Sequence, residues 1–255
     1  MVIPSLLILI NFCYNSIMKK NSRKIIYIGI NYHLIPSPII NKQTYIAFQQ
    51  ALINSGLEFS KTDYLENNFT VLRESPSPLQ IQVISHKGQP LGQIIIIAPS
   101  LKTSIGLFID EANAAVESFR SIWPKSTKQI IGGDATIREL CEISSGQHAF
   151  KELWEKRLRQ DSNALRVFHR PIRGGGLRFI LEDKANGNDQ NNIEIKIESF
   201  IQDTSKIFVE TQFAWRYETP QSEFDITNKI SDMNKFIENE VYSFLEGEYG
   251  NDNQQ

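Results

Sequence analysis

The sequence predicts an α+β fold: antiparallel meander sheets with helices packed on one side, built from a strand, helix, meander, helix unit that occurs twice. Three observations carry this prediction. Strand patterns with a period of two follow one another in runs without a helix between them, most clearly from Leu177 to Tyr217. Amphipathic stretches of helical period separate these runs instead of alternating with single strands. The helices that close the two halves share a local pattern, Ile109, Asn113, Val116 and Glu117 in the first, Ile230, Asn234, Ile237 and Glu238 in the second.

Taken in order, the opening run VIPSLLILINFCY is apolar but too short to span a bilayer, and it lacks the basic region and small-residue cleavage site of a secretory signal. Met18 opens MKKNSRKIIYIGINY, which reads as a chain start, so residues 1–17 are expected to be a non-native or disordered extension and no membrane association is expected. KIIYIGINYHL, from Lys24, is a strand closed by Pro36 and Pro38. Tyr45, Phe48 and Leu52 then fall at helical spacing, and Asn54, Ser55 and Gly56 end that helix. Strands follow at Phe69 to Arg73, Leu79 to Ser85 and Gly92 to Ala98. The run Ile94 to Ile97 is apolar on both faces, which places it centrally in a sheet covered or at least shielded on both sides. A helix from Ile105 to Trp123 aligns Ile109, Ala112, Val116, Phe119 and Trp123, and Pro124 stops it.

The same order then recurs. A strand from Lys128 to Ile143 precedes a helix from Gln147 to Arg159 with Phe150, Leu153, Trp154 and Leu158 on its core face. In the meander, Leu177, Phe179 and Leu181 alternate with Arg178, Ile180 and Glu182, and Ile193, Ile195 and Ile197 alternate with Glu194, Lys196 and Glu198. Ile207, Val209, Phe213 and Trp215 share one face of the last strand. A closing helix from Ile226 to Leu245, capped by Asp225, aligns Ile226, Ile230, Met233, Ile237, Val241 and Phe244. These elements divide the chain into a first half, 18–124, a second half, 125–246, and a tail, 247–255, expected to be disordered. The halves either pair edge to edge in one saddle-like sheet or fold apart.

At 255 residues, with a formal charge of −2, the chain is long enough for one large domain or two small ones, and its balance argues against a general polyanion-binding surface. Its two cysteines, Cys13 and Cys141, make no disulfide framework, and no Cys/His spacing suits zinc, so a reducing, cytoplasmic compartment is expected. Cys141 reads as a small buried hydrophobe. Against the balanced background, Lys156, Arg157, Arg159, Arg166, Arg170, Arg173 and Arg178 face one acid, Asp161. Within this basic segment Arg166, His169, Arg170, Arg173, Gly174, Gly175, Gly176 and Arg178 form the candidate binding site. The triple glycine can offer backbone N–H groups as an anion nest closed by two guanidiniums, or can be a bend in a long strand. IGGDAT, Ile131 to Thr136, reads as a tight bulge that exposes Asp134. His33, His86 and His148 fall at a strand end, a turn and a helix start, and the meander aromatics fall mainly at core positions.

The hairpin ILEDKANGNDQNNIEIKIES places Asp183 at the end of one strand and Glu194 and Lys196 on one face of the next. This resembles the acidic-x-Lys hairpin of the restriction-endonuclease-like nucleases. The resemblance implies Mg²⁺ held by Asp183 and Glu194, with Glu152 or Glu155 as a further ligand, and Lys196 positioning or activating water as a catalytic residue. The family's Pro-Asp is missing, and a third strand follows where that fold has a helix. The alternative reading of the same residues is the solvated face of an amphipathic strand. The expectation is therefore a non-enzymatic binding or interaction protein with a basic, glycine-containing contact for a protein partner, an anionic ligand or nucleic acid. A metal-dependent nuclease and a sensor of a small anionic ligand are the alternatives, and only the nuclease needs a cofactor, Mg²⁺.

Overall fold

Ile28, Ile30 and Tyr32 alternate with Tyr27, Gly29 and Asn31, so one face of the first strand is apolar and the other largely polar, as a sheet with one covered face requires. The computed structural model describes residues 17–19, 21–100, 104–183 and 190–247, with the backbone alone at Asp183 and Gln190. That first strand, β1 (Lys24–Leu34), is the middle of a sheet of nine strands among the described residues. It pairs antiparallel with β5 (Gly92–Ala98) on one edge and β6 (Ile130–Glu142) on the other. Beyond β5 lie β4 (Leu79–Ser85), β3 (Asn68–Arg73) and β2 (Lys61–Leu65); beyond β6 lie β9 (Lys206–Gln221), β8 (Gln190–Ser199) and β7 (Gly176–Asp183). Every neighbouring pair is antiparallel. The halves thus join edge to edge in one sheet, and the strand order reads outward from β1 and β6 in the same sense on both sides.

β2 has no counterpart in the sequence reading. All five of its residues, KTDYL, are exposed, so it has no apolar alternation to reveal it, and backbone pairing with β3 alone makes it a strand. The isoleucine run of β5 does lie near the centre, but helices cover one face only. Ile94 and Ile96 are fully buried there, while Ile95 and Ile97 are half-buried on the open face.

α1 (Lys42–Asn54) begins at a capping box between Asn41 and Thr44 and stops where Gly56 takes a φ of +82°. It packs against α2 (Ile105–Ile122), capped by Ser104. Phe48, Phe119 and Trp123 meet between them, each fully or nearly fully buried, and each such side chain contributes roughly 1.5–3 kcal/mol by leaving water.

The second half departs from the expected helices. α3 (Ala149–Glu152) is one turn that runs into a π turn, Leu153–Arg157. The wider turn rotates the following residues, so the buried face is Ala149, Glu152, Leu153 and Arg157; of the expected core residues only Leu153 is buried, and Phe150, Trp154 and Leu158 are partly exposed. The closing helix likewise consists of α4 (Ile226–Phe236), a π turn (Ile237–Val241) and α5 (Tyr242–Glu246). Ile226, Ile230, Met233, Ile237 and Val241 are buried as expected, but past the π turn Leu245 takes the buried position expected for Phe244. Ile17, counted with the N-terminal extension in the sequence reading, is fully buried; Met18 bridges to Ile143, and Ile17 donates from its backbone to the Leu245 carbonyl. Residues 1–16, Cys13 among them, and 248–255 lie outside the described residues, while Gly247 ends α5 in the left-handed conformation.

Candidate functional site

The cations of the basic segment are divided between ion pairs, packing and an exposed loop. Lys156 pairs with Glu152 at 2.5 Å, and Arg157 is buried, donating at 2.5 Å to the Leu245 carbonyl at the end of α5. Arg178, on β7, donates through two nitrogens to both oxygens of Glu194, at 2.8 and 2.9 Å. The remaining cations stand on the loop between the π turn and β7. There the chain turns at Arg159, with a φ of 53°, and Asp161 accepts from the Asn163 backbone at 2.8 Å to start a 3-10 helix, Ser162–Phe168. That backbone bond and the Asn163 amide hold the Asp161 carboxyl below its ordinary pKa. His169, left-handed at a φ of 51°, ends the turn. No residue of this 3-10 helix is buried: Val167 is 69% exposed and Phe168 62%. Arg166, His169, Arg170 and Arg173 lie near them along the chain, all exposed, and none of these arginines makes an ion pair among the described residues.

The three glycines act by close approach. A Cβ on Gly174 would come within 2.8 Å of Ser199 Oγ, on Gly175 within 2.6 Å of the Phe150 ring and on Gly176 within 2.2 Å of the Ile197 carbonyl. None has a positive φ, and the Gly175 N–H donates to Ser199 Oγ at 3.2 Å. An anion nest needs left-handed backbone and free N–H groups, so the expected nest is not built here; the segment is the close-packed entrance to an edge strand.

The hairpin carboxylates are likewise committed. Glu194 and Lys196 do lie on one face, 3.2 Å apart, but within a ladder of alternating charge across the open side of the sheet. It runs Arg178, Glu194, Lys196, Glu210, Arg138, with Lys196 2.6 Å from Glu210 and Arg138 2.5 Å from it. Arg178 and Lys196 hold the Glu194 carboxyl below its ordinary pKa against a smaller effect of burial, and Glu210 holds Lys196 above its own. Asp183 pairs with Asn191 in the backbone, three residues beyond the Ile180 and Glu194 pair, or about 10 Å along the strand. Its side chain lies outside the described residues. Glu152 and Glu155 belong to the helical layer, where Glu152 meets Lys156 and Glu155 accepts from Ser162, so the sheet separates them from Glu194. No group of three His, Cys, Asp or Glu side chains able to hold a metal occurs among the described residues.

Two polar clusters were not assembled in the sequence reading, although the bulge, Asp134 and His33 of the first were each noted there. On the open face, the bulge at Gly132, where β6 shifts register against β9, frames a cleft of about 440 Å³ lined by His33, Asp134, Asn192, Gln212, Trp215 and Arg216. The Asn31 amide donates to Asp134 at 2.9 Å and lies 3.1 Å from His33 Nε2; burial holds the His33 pKa down. On the covered face, Glu139 of β6 is fully buried and accepts from Arg23 at 2.5 Å and from the Tyr242 hydroxyl at 2.6 Å. Arg23 continues to Glu238 at 2.7 Å and Asn234 at 2.6 Å. Burial is the main reason the Glu139 carboxyl sits above its ordinary pKa, although Arg23 and Tyr242 favour its anion. Cys141 is buried beside them, as expected of it, and burial pushes its thiol up to about 11.

No helix among the described residues is long and apolar enough to cross a membrane. Compared with protein-family models, with curated proteins and with solved structures, the chain finds no match, so its chemistry stands on the geometry of its own residues.

Proposed function

We propose that this chain is a non-enzymatic interaction protein of the cytoplasm that holds an acidic protein partner on the loop from Arg166 to Arg173. One observation carries the reading: two large apolar side chains, Val167 and Phe168, stand mostly in solvent on a loop that also carries exposed Arg166, His169, Arg170 and Arg173, whose arginines have no ion-pair partner among the described residues. Folding gains nothing from exposing them. An interface does, because aromatic residues and arginine together are the composition of protein contact hot spots.

The distribution of charge favours a protein over nucleic acid. A phosphate backbone is tracked by a continuous cationic stripe, and here Lys156, Arg157 and Arg178 are drawn away into pairs and packing. The commitment of Glu194 and Lys196 to the ladder supports a structural role for the hairpin.

The test is photo-crosslinking in cells from Val167 and Phe168, with Tyr64 on the far edge of the sheet as control. Binding of the captured partner, purified, is then measured to wild type, to Phe168→Ala and to Arg170→Ala/Arg173→Ala. We expect about tenfold weaker binding or more in each variant, with salt dependence reduced in the double variant. Labelled single- and double-stranded DNA and RNA form the second arm. Binding of a captured partner that neither variant weakens would overturn the proposal, as would tight nucleic-acid binding carried by the same arginines.

A further inference from the structure

β7 ends the sheet: its other edge pairs with no strand among the described residues. A free edge offers unpaired N–H and C=O groups to any extended chain, and proteins ordinarily blunt it with charge, proline or a bulge. β7 does the reverse at its centre, where Ile180 is 66% and Leu181 38% exposed.

The register shows which groups are offered. The Ser199 N–H donates to the Gly175 carbonyl, so these two residues form a hydrogen-bonded pair. Hydrogen-bonded pairs recur at every second residue of an antiparallel ladder. With Leu177 opposite Ile197 and Phe179 opposite Ile195, the odd residues of β7 point their backbone groups at β8. Arg178, Ile180 and Glu182 point theirs outward.

We infer that β7 pairs with β7 of a second copy of this chain, antiparallel about a two-fold axis through Ile180. In that register outward-pointing residues meet outward-pointing residues. Ile180 faces its own copy, Arg178 faces Glu182 of the other chain and Glu182 faces Arg178, giving roughly six backbone hydrogen bonds and two opposite-charge pairs. Glu182 has no ion-pair partner among the described residues, while Arg178, which donates to Glu194 within its own chain, is exposed and has Glu182 of the other chain as a second carboxylate beside it. On the covered side Phe179 stands opposite Leu181 of the other chain. Both residues border an apolar groove of about 210 Å³ whose far wall is Phe236, Val241 and Phe244, so the axis continues one apolar layer into the next. The other edge lacks this self-complementarity: pairing centred on β2 would set Asp63 against Asp63. The sheet therefore continues through the axis, an isologous contact between identical edges.

The experiment is sedimentation equilibrium of the full chain over a concentration series, for wild type, Glu182→Lys and Arg178→Glu separately, and an equimolar mixture of the two variants. Wild type is expected at twice the chain mass. Each variant alone sets like charges against each other twice and dissociates about tenfold more readily or worse, while the mixture restores both opposite-charge pairs and the dimer. Thermal melts of each variant check that it is folded. Ile180→Cys supplies an independent readout, because cysteines on the axis sit about 5.5 Å apart at Cα and cross-link on oxidation. A wild type that stays monomeric throughout, a dimer indifferent to both charge reversals, or a mixture no better than its components would each overturn the inference. If Ile180→Cys is folded yet stays un-cross-linked, the register is refuted even though the chain dimerises.

Discussion

Replacing Arg23 with methionine removes the cation beside a carboxylate that has no route to water. Glu139 is fully buried, Arg23 is 20% exposed, and the two meet at 2.5 Å with the Tyr242 hydroxyl as the other donor. Stranding one member of a buried pair costs about 3–5 kcal/mol, far above the value of a surface ion pair. For a chain of this size that corresponds to a fall of roughly 6–20 °C in melting temperature. The deficit carries a signature in pH. Burial already raises the Glu139 pKa above 4.5, and removing Arg23 takes away the largest influence opposing that rise. A carboxyl raised in the folded state binds a proton there that the unfolded chain has released, so stability falls as pH rises from the unfolded value through the folded one. The gap between wild type and Arg23→Met should therefore be widest near neutrality and close toward pH 4.5. Adding Glu139→Gln to the variant should recover at least half of the loss, since an amide in that place needs no counter-charge. Urea unfolding across this pH range is the assay. A loss below about 1 kcal/mol, or one that does not change with pH, would refute the view that Arg23 neutralises a buried charge.

Two further outcomes follow from packing. Gly133→Ala puts a Cβ within 2.2 Å of the Asn31 carbonyl and 2.8 Å of the Trp215 ring, backbone and rigid aromatic that cannot both yield; a loss of about 1–3 kcal/mol in urea unfolding is expected, with a shift in tryptophan emission. Cys141, buried with its thiol pushed up to about 11, should be alkylated at least roughly a hundredfold more slowly in the native protein than in urea, as read by peptide mass spectrometry; fast labelling of folded protein would contradict its placement.

The legible parts of the fold were those written in local periodicity. β4 and β5 lie at Leu79–Ser85 and Gly92–Ala98, where alternation and the turn between them put them, and α2 differs from its expected span by one residue. β2 was illegible because an exposed edge strand needs only a neighbour's backbone. The π turns were illegible because one extra residue per turn leaves no mark in composition, yet it decided that Leu245 and not Phe244 is buried. At the site, the loss was in pairing over distance. The basic segment was visible as a run of charges, but that Arg157 would serve α5, Arg178 would serve Glu194 and Arg166, Arg170 and Arg173 would make no ion pair among the described residues depends on contacts up to 88 residues apart. Glu139 stood out of phase in TIRELCE as a charge among apolar positions; its partners Arg23 and Tyr242 are 116 and 103 residues away.

The pairing of β1 with β6 sets a schedule for synthesis. Among the described strands β1 is made first; once β5 pairs with one edge, the other, from Lys24 to Leu34, has no partner until Ile130–Glu142 has been made. At about 5–20 residues per second, the roughly forty residues between the end of β5 and the end of β6 keep that edge unpaired for some 2–9 s on the ribosome. A chain interrupted in this interval, or a fragment ending near Pro124, presents a sticky strand flanked by the completed first meander. Such a fragment offers the unpaired backbone of an interior strand to other chains, the situation in which edge-to-edge aggregation begins.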